Sequence, residues 1–274
     1  MNRIKYLINK FLKILGFQIV KVAQEEDKKD YIVSDFTLQN IFDAFPLWVS
    51  RFEIEGKFYG GQADYTSKRI SMLNEERLHE LVDFKGKRVI EFGPLEGGNT
   101  IILEKLGAKE IAAIEGHTEN YIRCCVIKNL FRLNRSTFHF DNVMNVKIEK
   151  YGKHDIAFVA GLFYHLDTPH IFLEQLATMT DEIIMSTHYA DEDSPSPDAD
   201  IKEIQYKGFT YRGKLFKENM GPNSGLQSFS FWPFREDLLN MMYNAGYKQV
   251  HIIRDLTDKG THYRLLYLVA KKSD

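Results

Sequence analysis

The sequence predicts an α/β fold in which a mostly parallel sheet is covered by helices on both faces. From Arg88 onward, short apolar segments alternate with longer segments of helical character, which is typical of parallel strands joined by crossover helices. The last two apolar segments are separated only by DLTDKGTH, residues 255–262, which is too short for a crossover helix. We therefore expect those two segments to form an antiparallel pair at the C-terminal end of the sheet.

The elements follow in order along the chain, beginning with a helix at residues 67–82. Strands are predicted at residues 88–91, 110–115, 136–141, 155–160, 182–186, 249–254 and 263–271. Helices that fill most of the intervals are predicted at residues 100–106, 118–133, 169–178 and 235–245. A chain of 274 residues is long enough to bury the core that these elements require.

The composition argues against a nucleic-acid partner and favours a reducing compartment. There are 36 Lys and Arg residues against 38 Asp and Glu, a formal net charge of −2, so the chain has no global basic field. Its two cysteines, Cys124 and Cys125, are adjacent in a predicted helix, where neighbours point about 100° apart and do not pair. No metal-ligand spacing is present. We expect a cytoplasmic protein without a metal site.

The N-terminal region is predicted to consist of an amphipathic helix and linker at residues 1–30 and a cap region at residues 31–85. Ile4, Leu7, Phe11 and Leu15 recur at helical spacing, and interspersed lysines interrupt the apolar run that a signal peptide or spanning helix needs. A basic amphipathic helix suits a membrane surface, its own domain or a second subunit, so peripheral membrane contact and homo-oligomerisation are both open. Residues 86–274 are the predicted main domain.

A long insertion at residues 187–234 interrupts the alternation after the fifth strand. It is rich in Asp, Ser, Pro and Gly, and its one internal pattern, KEIQYKGFTYRGKLF at residues 202–216, predicts a hairpin. An irregular segment of this length at a strand's carboxyl end is a candidate substrate lid. We expect this lid to determine the acceptor.

Acidic residues close the first two strands of the predicted sheet, and glycines follow the first. Glu91 ends the first strand, Glu115 ends the second, and Gly93 and Gly97 lie in the turn between them. Ligands of open parallel sheets sit at the carboxyl ends of the strands, and glycine lets the backbone approach them closely. Glu115 is placed to accept hydrogen bonds from both hydroxyls of a ribose. Asp141, which ends the third strand, is placed to accept one from an adenine amino group.

Two phosphate-binding alternatives fit this turn less well. The sequence has no G-x-x-x-x-G-K-[ST] motif, and the order GPLEGG at residues 93–98 is not G-x-G-x-x-G. Glu96 would also repel a pyrophosphate at the start of the following helix. The turn therefore suits a ligand with a cationic or zwitterionic centre.

These segments resemble the motifs of the class I S-adenosylmethionine-dependent methyltransferases. VIEFGPLEGG resembles their first motif, AAIEG the acid that ends the second strand, and FHFDNV the adenine-side motif. The resemblance implies S-adenosyl-L-methionine as cofactor and a Rossmann-like seven-stranded sheet of order 3-2-1-4-5-7-6 with strand 7 antiparallel. The cofactor-binding residues that it implies are Glu91, Gly93, Pro94, Gly97, Glu115, Asp141, Asn142, Gly161 and Leu162. The family's usual second glycine is Leu95 here, which leaves the conformation of the turn open.

A narrower resemblance appears in DIAFVAGLFYHLDTPHIFLEQL and FWPFREDLLNMMYNAGY. Both segments are similar to the tRNA wobble-uridine carboxymethyltransferase group and its relatives that act on small molecules. The extended basic N-terminal region of the RNA-modifying members has no match, so the resemblance to the small-molecule relatives is the better one.

Three side chains are candidate catalytic residues. Tyr164 and His165 follow the fourth strand, and His188 ends the fifth, where a methyl group is delivered in this fold. The ordinary histidine pKa near 6.5 makes either ring a usable base at neutral pH. The competing interpretation is a packed tyrosine and histidines bonded to their own loops.

The predicted reaction is O-methylation of a small-molecule or glycan acceptor by in-line attack on the methyl group. Oxygen is preferred as the acceptor atom because the loop after the fourth strand lacks the Asn/Asp-Pro-Pro-Tyr block of many nitrogen-directed enzymes. Three alternatives stay open: a dinucleotide-dependent oxidoreductase or epimerase, an RNA-modifying transferase that uses an S-adenosylmethionine derivative, and a non-catalytic scaffold.

Overall fold

The computed structural model describes residues 17–21, 30–34, 37–45, 47–64, 71–194, 200–219, 221–257 and 264–272. The chain divides into two compact units, Met1–Asp64 and Tyr65–Asp274. The amphipathic helix predicted near the N-terminus lies outside the described residues, so its membrane or subunit contact stays a prediction. No helix in the described ranges is both long and apolar enough to cross a bilayer.

The described part of the first unit consists of two antiparallel strand pairs and one helix. Its elements are β1 (Phe17–Lys21), β2 (Asp30–Ser34), α1 (Leu38–Ala44), β3 (Arg51–Ile54) and β4 (Lys57–Gly60). Phe42 of α1 packs against Trp48 and Tyr59, with ring centroids 4.7 and 5.2 Å away. The aromatic residues of this region therefore form a small core within the unit.

The second unit contains the predicted α/β domain. Its strands are β5 (Arg88–Phe92), β6 (Glu110–Glu115), β7 (Ser136–Phe140), β8 (Ile156–Ala160), β9 (Glu182–Tyr189), β10 (Lys202–Tyr206), β11 (Phe209–Lys217), β12 (Phe229–Pro233), β13 (Gln249–Thr257) and β14 (Arg264–Lys271). Its helices are α2 (Glu76–Leu81), α3 (Gly98–Lys105), α4 (Thr118–Leu130), α5 (Ile148–Tyr151), α6 (Pro169–Met179) and α7 (Arg235–Asn244). Short 3-10 turns lie at Met72–Asn74, Val143–Asn145 and Phe163–His165.

Seven of these strands form one sheet in the order β13-β14-β9-β8-β5-β6-β7. Counted along the chain from β5 as strand 1, this is the order 3-2-1-4-5-7-6, and β14 runs antiparallel to both of its neighbours. The predicted fold is therefore confirmed. The chain moves from β5 through β6 to β7 and then returns to β8 on the other side of β5, so the sheet reverses its order between β5 and β8.

The parallel strands are buried on both faces, which explains their nearly continuous apolar sequence. Residues Val89 to Phe92 of β5 are all buried, and Phe172 of α6 and Leu238 of α7 belong to the main core on one face of the sheet. Against this background, a carboxylate at the end of β5 or β6 stands out, because charged groups are rarely buried without a specific partner.

Among the elements that differ from their predictions are the first helix, β9 and the hairpin. The described part of the predicted helix 67–82 begins with a 3-10 turn, because the Ser71 hydroxyl accepts the Leu73 N–H at 3.3 Å, and α2 starts only at Glu76. Strand β9 extends three residues beyond its predicted end, since it pairs with β14 as far as Tyr189 opposite Arg264. The predicted hairpin is present as β10 and β11, and β12 adds a third strand to it.

Candidate cofactor and active site

Two buried glutamates lie at the carboxyl ends of neighbouring parallel strands. Glu91 is the penultimate residue of β5, Glu115 is the last residue of β6, and their side chains are 1% and 4% exposed. Burial raises the pKa of Glu91 to about 8, and the charge of Glu115 also raises it, whereas the hydrogen bond from Thr100 lowers it. The predicted pair of acids is therefore brought together at one edge of the sheet.

The Glu115 carboxylate accepts hydrogen bonds from the turn after β5 and from the turn after β6. One of its oxygens accepts the N–H of Leu95 at 3.1 Å, and the other accepts the N–H of His117 at 2.8 Å. Burial raises the pKa of Glu115 to about 7, although these N–H groups stabilise its charged form. Each carboxylate oxygen has a second lone pair, so the group retains capacity to accept hydrogen bonds from a ligand.

The turn after β5 is left-handed at three positions. Gly93, Leu95 and Gly97 have φ values of 67°, 59° and 83°. Leucine rarely adopts this conformation, which costs roughly 1–2 kcal/mol, but here it directs the Leu95 N–H toward Glu115. The departure from the family's glycine pattern therefore leaves the tight turn intact.

A cavity lies at the carboxyl ends of β5, β6 and β8, beside the point where the strand order reverses. Five of the predicted site residues line it, namely Gly93, Glu115, Asn142, Leu162 and His165. Ile114, Val143, Met144 and Leu166 add an apolar wall. The combination of apolar walls with a few polar groups is typical of sites for small ligands.

Residues 221–227, which we name the covering segment, close one side of this cavity. The His117 Nε2–H donates to the Ser224 carbonyl at 2.7 Å, and the Asn120 amide donates to the Pro222 carbonyl at 2.8 Å. Leu226 lies so close to Gly116 that a Cβ on that glycine would stand 2.7 Å from the leucine Cδ1. With the segment in place, the cavity has a volume of about 50 Å³.

His165 is the candidate base that lines the cavity. Its Nδ1 lies 3.0 Å from each carboxylate oxygen of Glu218, which follows β11. The Glu218 carboxylate also accepts the N–H of Gly225 at 2.7 Å, and this connects it to the covering segment. Glu218 was not found from the sequence, because nothing in the irregular stretch around it marks a partner 53 residues away.

The other two candidate catalytic residues pack behind His165, outside the cavity lining. The Tyr164 ring contacts the rings of His165 and His188 at 4.2 and 4.5 Å. His188 stacks on Trp232 at 5.2 Å, and its Nδ1–H donates to the Arg264 carbonyl at 2.8 Å. Burial lowers the pKa of His188.

Asp141 is also placed away from the cavity lining. Its carboxylate accepts hydrogen bonds from Lys150 at 2.6 Å, Tyr151 at 2.7 Å and the Asn142 N–H at 2.8 Å. The hydrogen bond from Lys150 lowers the pKa of Asp141. Its neighbour Asn142 lines the cavity instead.

The remaining predicted residues shape the site from outside the lining. Glu91 and Pro94 are buried next to the turn, and a Cβ on Gly97 would stand 3.3 Å from Phe138. Gly161 has a φ of 76° in the turn after β8. In the described part of the chain, no group of three His, Cys, Asp or Glu side chains is arranged to hold a metal ion.

Comparison with known proteins supports the fold. No protein-family model and no curated protein matches the sequence. The N-terminal domain of EvdMO1, solved in the presence of SAH and D-fucose, is similar with a TM-score of 0.70 and 24% identity over 86% of this chain and 96% of that domain. The alignment with EvdMO1 itself spans 47% of that longer chain, with a TM-score of 0.60 and 21% identity.

A second neighbour is the Burkholderia thailandensis 1,6-didemethyltoxoflavin-N1-methyltransferase, solved with 1,6-didemethyltoxoflavin and S-adenosylhomocysteine bound. It has a TM-score of 0.50 and 15% identity over 69% of this chain and 72% of that one. The narrower resemblance to the wobble-uridine group stays a prediction. The strand order, the turn after β5 and these neighbours together show that the chain has the fold of class I S-adenosylmethionine-dependent methyltransferases.

Proposed function

We propose that this chain is an S-adenosyl-L-methionine-dependent methyltransferase that methylates a hydroxyl group of a small-molecule or glycan-type acceptor. The observation that carries the proposal is the buried Glu115 carboxylate, which lines a cavity at the carboxyl end of β6 beside the point where the strand order reverses. Open α/β sheets bind their ligands at this place.

The residues present fit the cofactor. Glu115 is the group that would accept hydrogen bonds from the ribose hydroxyls, and Ile114, Val143 and Leu162 offer apolar contact for the adenine ring. Glu91 is a second buried acid next to Glu115, behind the cavity lining, and burial raises its pKa to about 8, so it is mostly protonated at neutral pH. When bound, the cofactor supplies an activated methyl group on a sulfonium. The protein then has to hold the acceptor, exclude water and receive a proton.

Ligand entry requires the covering segment to move. Sites for small ligands typically measure about 300–1,000 Å³, whereas the closed cavity holds about 50 Å³. The contacts that close the segment include two hydrogen bonds to its backbone carbonyls, the hydrogen bond from the Gly225 N–H to Glu218, and the packing of Leu226 on Gly116. Leu226 lines the cavity together with Glu115, so its displacement would enlarge the space beside Glu115.

His165 is the favoured proton acceptor among the three candidates. It lines the cavity next to Leu162, whereas Tyr164 and His188 pack behind it. A positioned base is worth about 10²–10⁴-fold in rate. The acceptor class is supported by one fold neighbour, since the N-terminal domain of EvdMO1 was solved in the presence of D-fucose. The narrower resemblance to small-molecule relatives of the wobble-uridine group points the same way.

Calorimetry with S-adenosylhomocysteine, with NAD as the comparison ligand, tests the cofactor. We expect binding of S-adenosylhomocysteine and none of NAD. Transfer of labelled methyl from S-adenosylmethionine to D-fucose and to a set of deoxyhexosides then tests the acceptor. No binding of S-adenosylhomocysteine at millimolar concentration would refute the proposed function. Binding of S-adenosylhomocysteine without turnover on any hydroxyl acceptor would favour the alternative of a non-catalytic domain.

A further inference from the structure

Glu218 and His165 form a half-buried pair that joins the loop after β8 to the segment after β11. Their side chains are 8% and 16% exposed, and both carboxylate oxygens lie 3.0 Å from Nδ1. The backbone N–H of His165 donates to the Leu162 carbonyl at 2.8 Å, so the backbone that carries the histidine is held in place as well.

The carboxylate determines which nitrogen of His165 is basic. A carboxylate only accepts hydrogen bonds, so Nδ1 must carry a proton. In the neutral imidazole the lone pair then lies on Nε2, which bonds to no described residue. The unused nitrogen of a cavity-lining histidine is therefore held in its proton-accepting form.

We propose that Glu218 is a positioning residue that orients His165 as the base. This inference rests on the proposed function. The Gly225 N–H donates to the same carboxylate at 2.7 Å, so Glu218 is itself held in place by a hydrogen bond from the backbone.

The bonds and the proton balance in the transfer. The acceptor oxygen forms a bond to the methyl carbon while the carbon–sulfur bond breaks, and the sulfur keeps that electron pair. The hydroxyl proton passes to Nε2 of His165. The ring then carries a positive charge, which the Glu218 carboxylate stabilises, and the proton afterwards leaves to solvent.

The charge of Glu218 is available at neutral pH. Burial raises the pKa of this carboxyl, but the hydrogen bonds from His165 and from the Gly225 N–H outweigh burial and lower it overall. Among the described residues, the other titratable groups around His165 are Asp167 of its own loop, Glu115 and His117 from the end of β6 and the turn after it, and Tyr164 and His188, which pack behind the ring. Neither the Asp167 nor the Glu115 carboxylate is hydrogen-bonded to the His165 ring, whereas the Glu218 carboxylate is.

Glu218→Gln tests the inference with two measurements. Histidine nitrogen NMR of the ligand-free protein reports the tautomer, with His165→Gln identifying the signals. We expect Nδ1–H alone in the wild type and a mixture in the variant, since a glutamine amide can donate as well as accept. In turnover, kcat is expected to fall about 100-fold while the Kd for S-adenosylhomocysteine is unchanged, and the acidic limb of the kcat profile should move to lower pH.

Two further variants keep the result interpretable. Glu218→Asp retains the charge and should recover part of the lost kcat. Glu203→Gln changes an exposed glutamate on β10 and should leave the spectrum and the rate unchanged. A Glu218→Gln protein with the wild-type tautomer and pH profile would overturn the inference. Because its ability to bind S-adenosylhomocysteine is measured separately, that outcome is distinct from failure of the proposed function.

Discussion

Glu115→Gln keeps the size of the side chain that faces the cavity and removes its charge. Both carboxylate oxygens now accept a backbone N–H, from Leu95 and from His117. A glutamine offers one oxygen and one NH₂ group, so one of these two N–H groups loses its acceptor. An unsatisfied buried donor costs about 1–3 kcal/mol of stability, which corresponds to a decrease in Tm of roughly 2–12 °C.

The same change should weaken ligand binding by a similar free energy. A hydrogen bond to a charged group contributes about 1.5–3 kcal/mol, so the Kd for S-adenosylhomocysteine should rise about 10- to 150-fold. Calorimetry at a pH above 8 is suitable, because burial raises the pKa of Glu115 to about 7 and the carboxylate is then ionised.

The matched control is Glu110→Gln, at the exposed start of the same strand. Glu110 pairs with Arg88 at the surface, at 3.2 Å, and an exposed ion pair contributes little, so both Tm and Kd should stay close to the wild-type values. If Glu115→Gln bound S-adenosylhomocysteine as tightly as Glu110→Gln does, the assignment of Glu115 to the ligand would be refuted.

Three other predictions concern the surroundings of the cavity. Thr100→Val removes the 2.6 Å hydrogen bond to Glu91 and should lower the free energy of unfolding by about 1–3 kcal/mol, measured by chemical denaturation. Thr100→Ser keeps the hydroxyl and should not lower it. An equal loss of unfolding free energy in both variants would contradict this prediction. The pKa of Glu91 is raised from 4.5 to about 8 in the folded state, so between these pH values the folded protein binds more protons than the unfolded chain does. The Tm of the wild type should therefore fall relative to that of Glu91→Gln as pH rises from 4.5 to about 8. A Tm difference between the two proteins that stays constant over this pH range would disprove the prediction. Gly116→Ala places a methyl group against Leu226 and should speed amide hydrogen exchange in residues 224–227. Gly221→Ala adds its methyl group in open space and should leave the exchange rate unchanged. Unchanged exchange in both variants would argue against the packing of Leu226 on Gly116.

The sheet could be predicted from the sequence because its signals are local. Each parallel strand is a short apolar run, and the seven strands lie within a few residues of their predicted bounds. The antiparallel end followed from the shortness of residues 255–262. The extra length of β9 could not be predicted, since its last residues are ordered by pairing with β14, more than 70 residues further along the chain.

The candidate site was predictable where a strand end fixes a residue and not where a loop does. Glu115 and Leu162 follow directly from strand ends and line the cavity. Asp141 also follows a strand, but Lys150 and Tyr151 of the short helix α5 bind its carboxylate and hold it away from the lining. Glu218 lies in an irregular stretch, and only the folded chain brings it to His165.

A crystal structure of the complex with S-adenosylhomocysteine would test the central claim most directly. We expect the ribose hydroxyls within hydrogen-bonding distance of the Glu115 carboxylate, the adenine ring against Val143, and Leu226 displaced from Gly116. A ligand bound elsewhere, with the covering segment still packed on Gly116, would contradict the account.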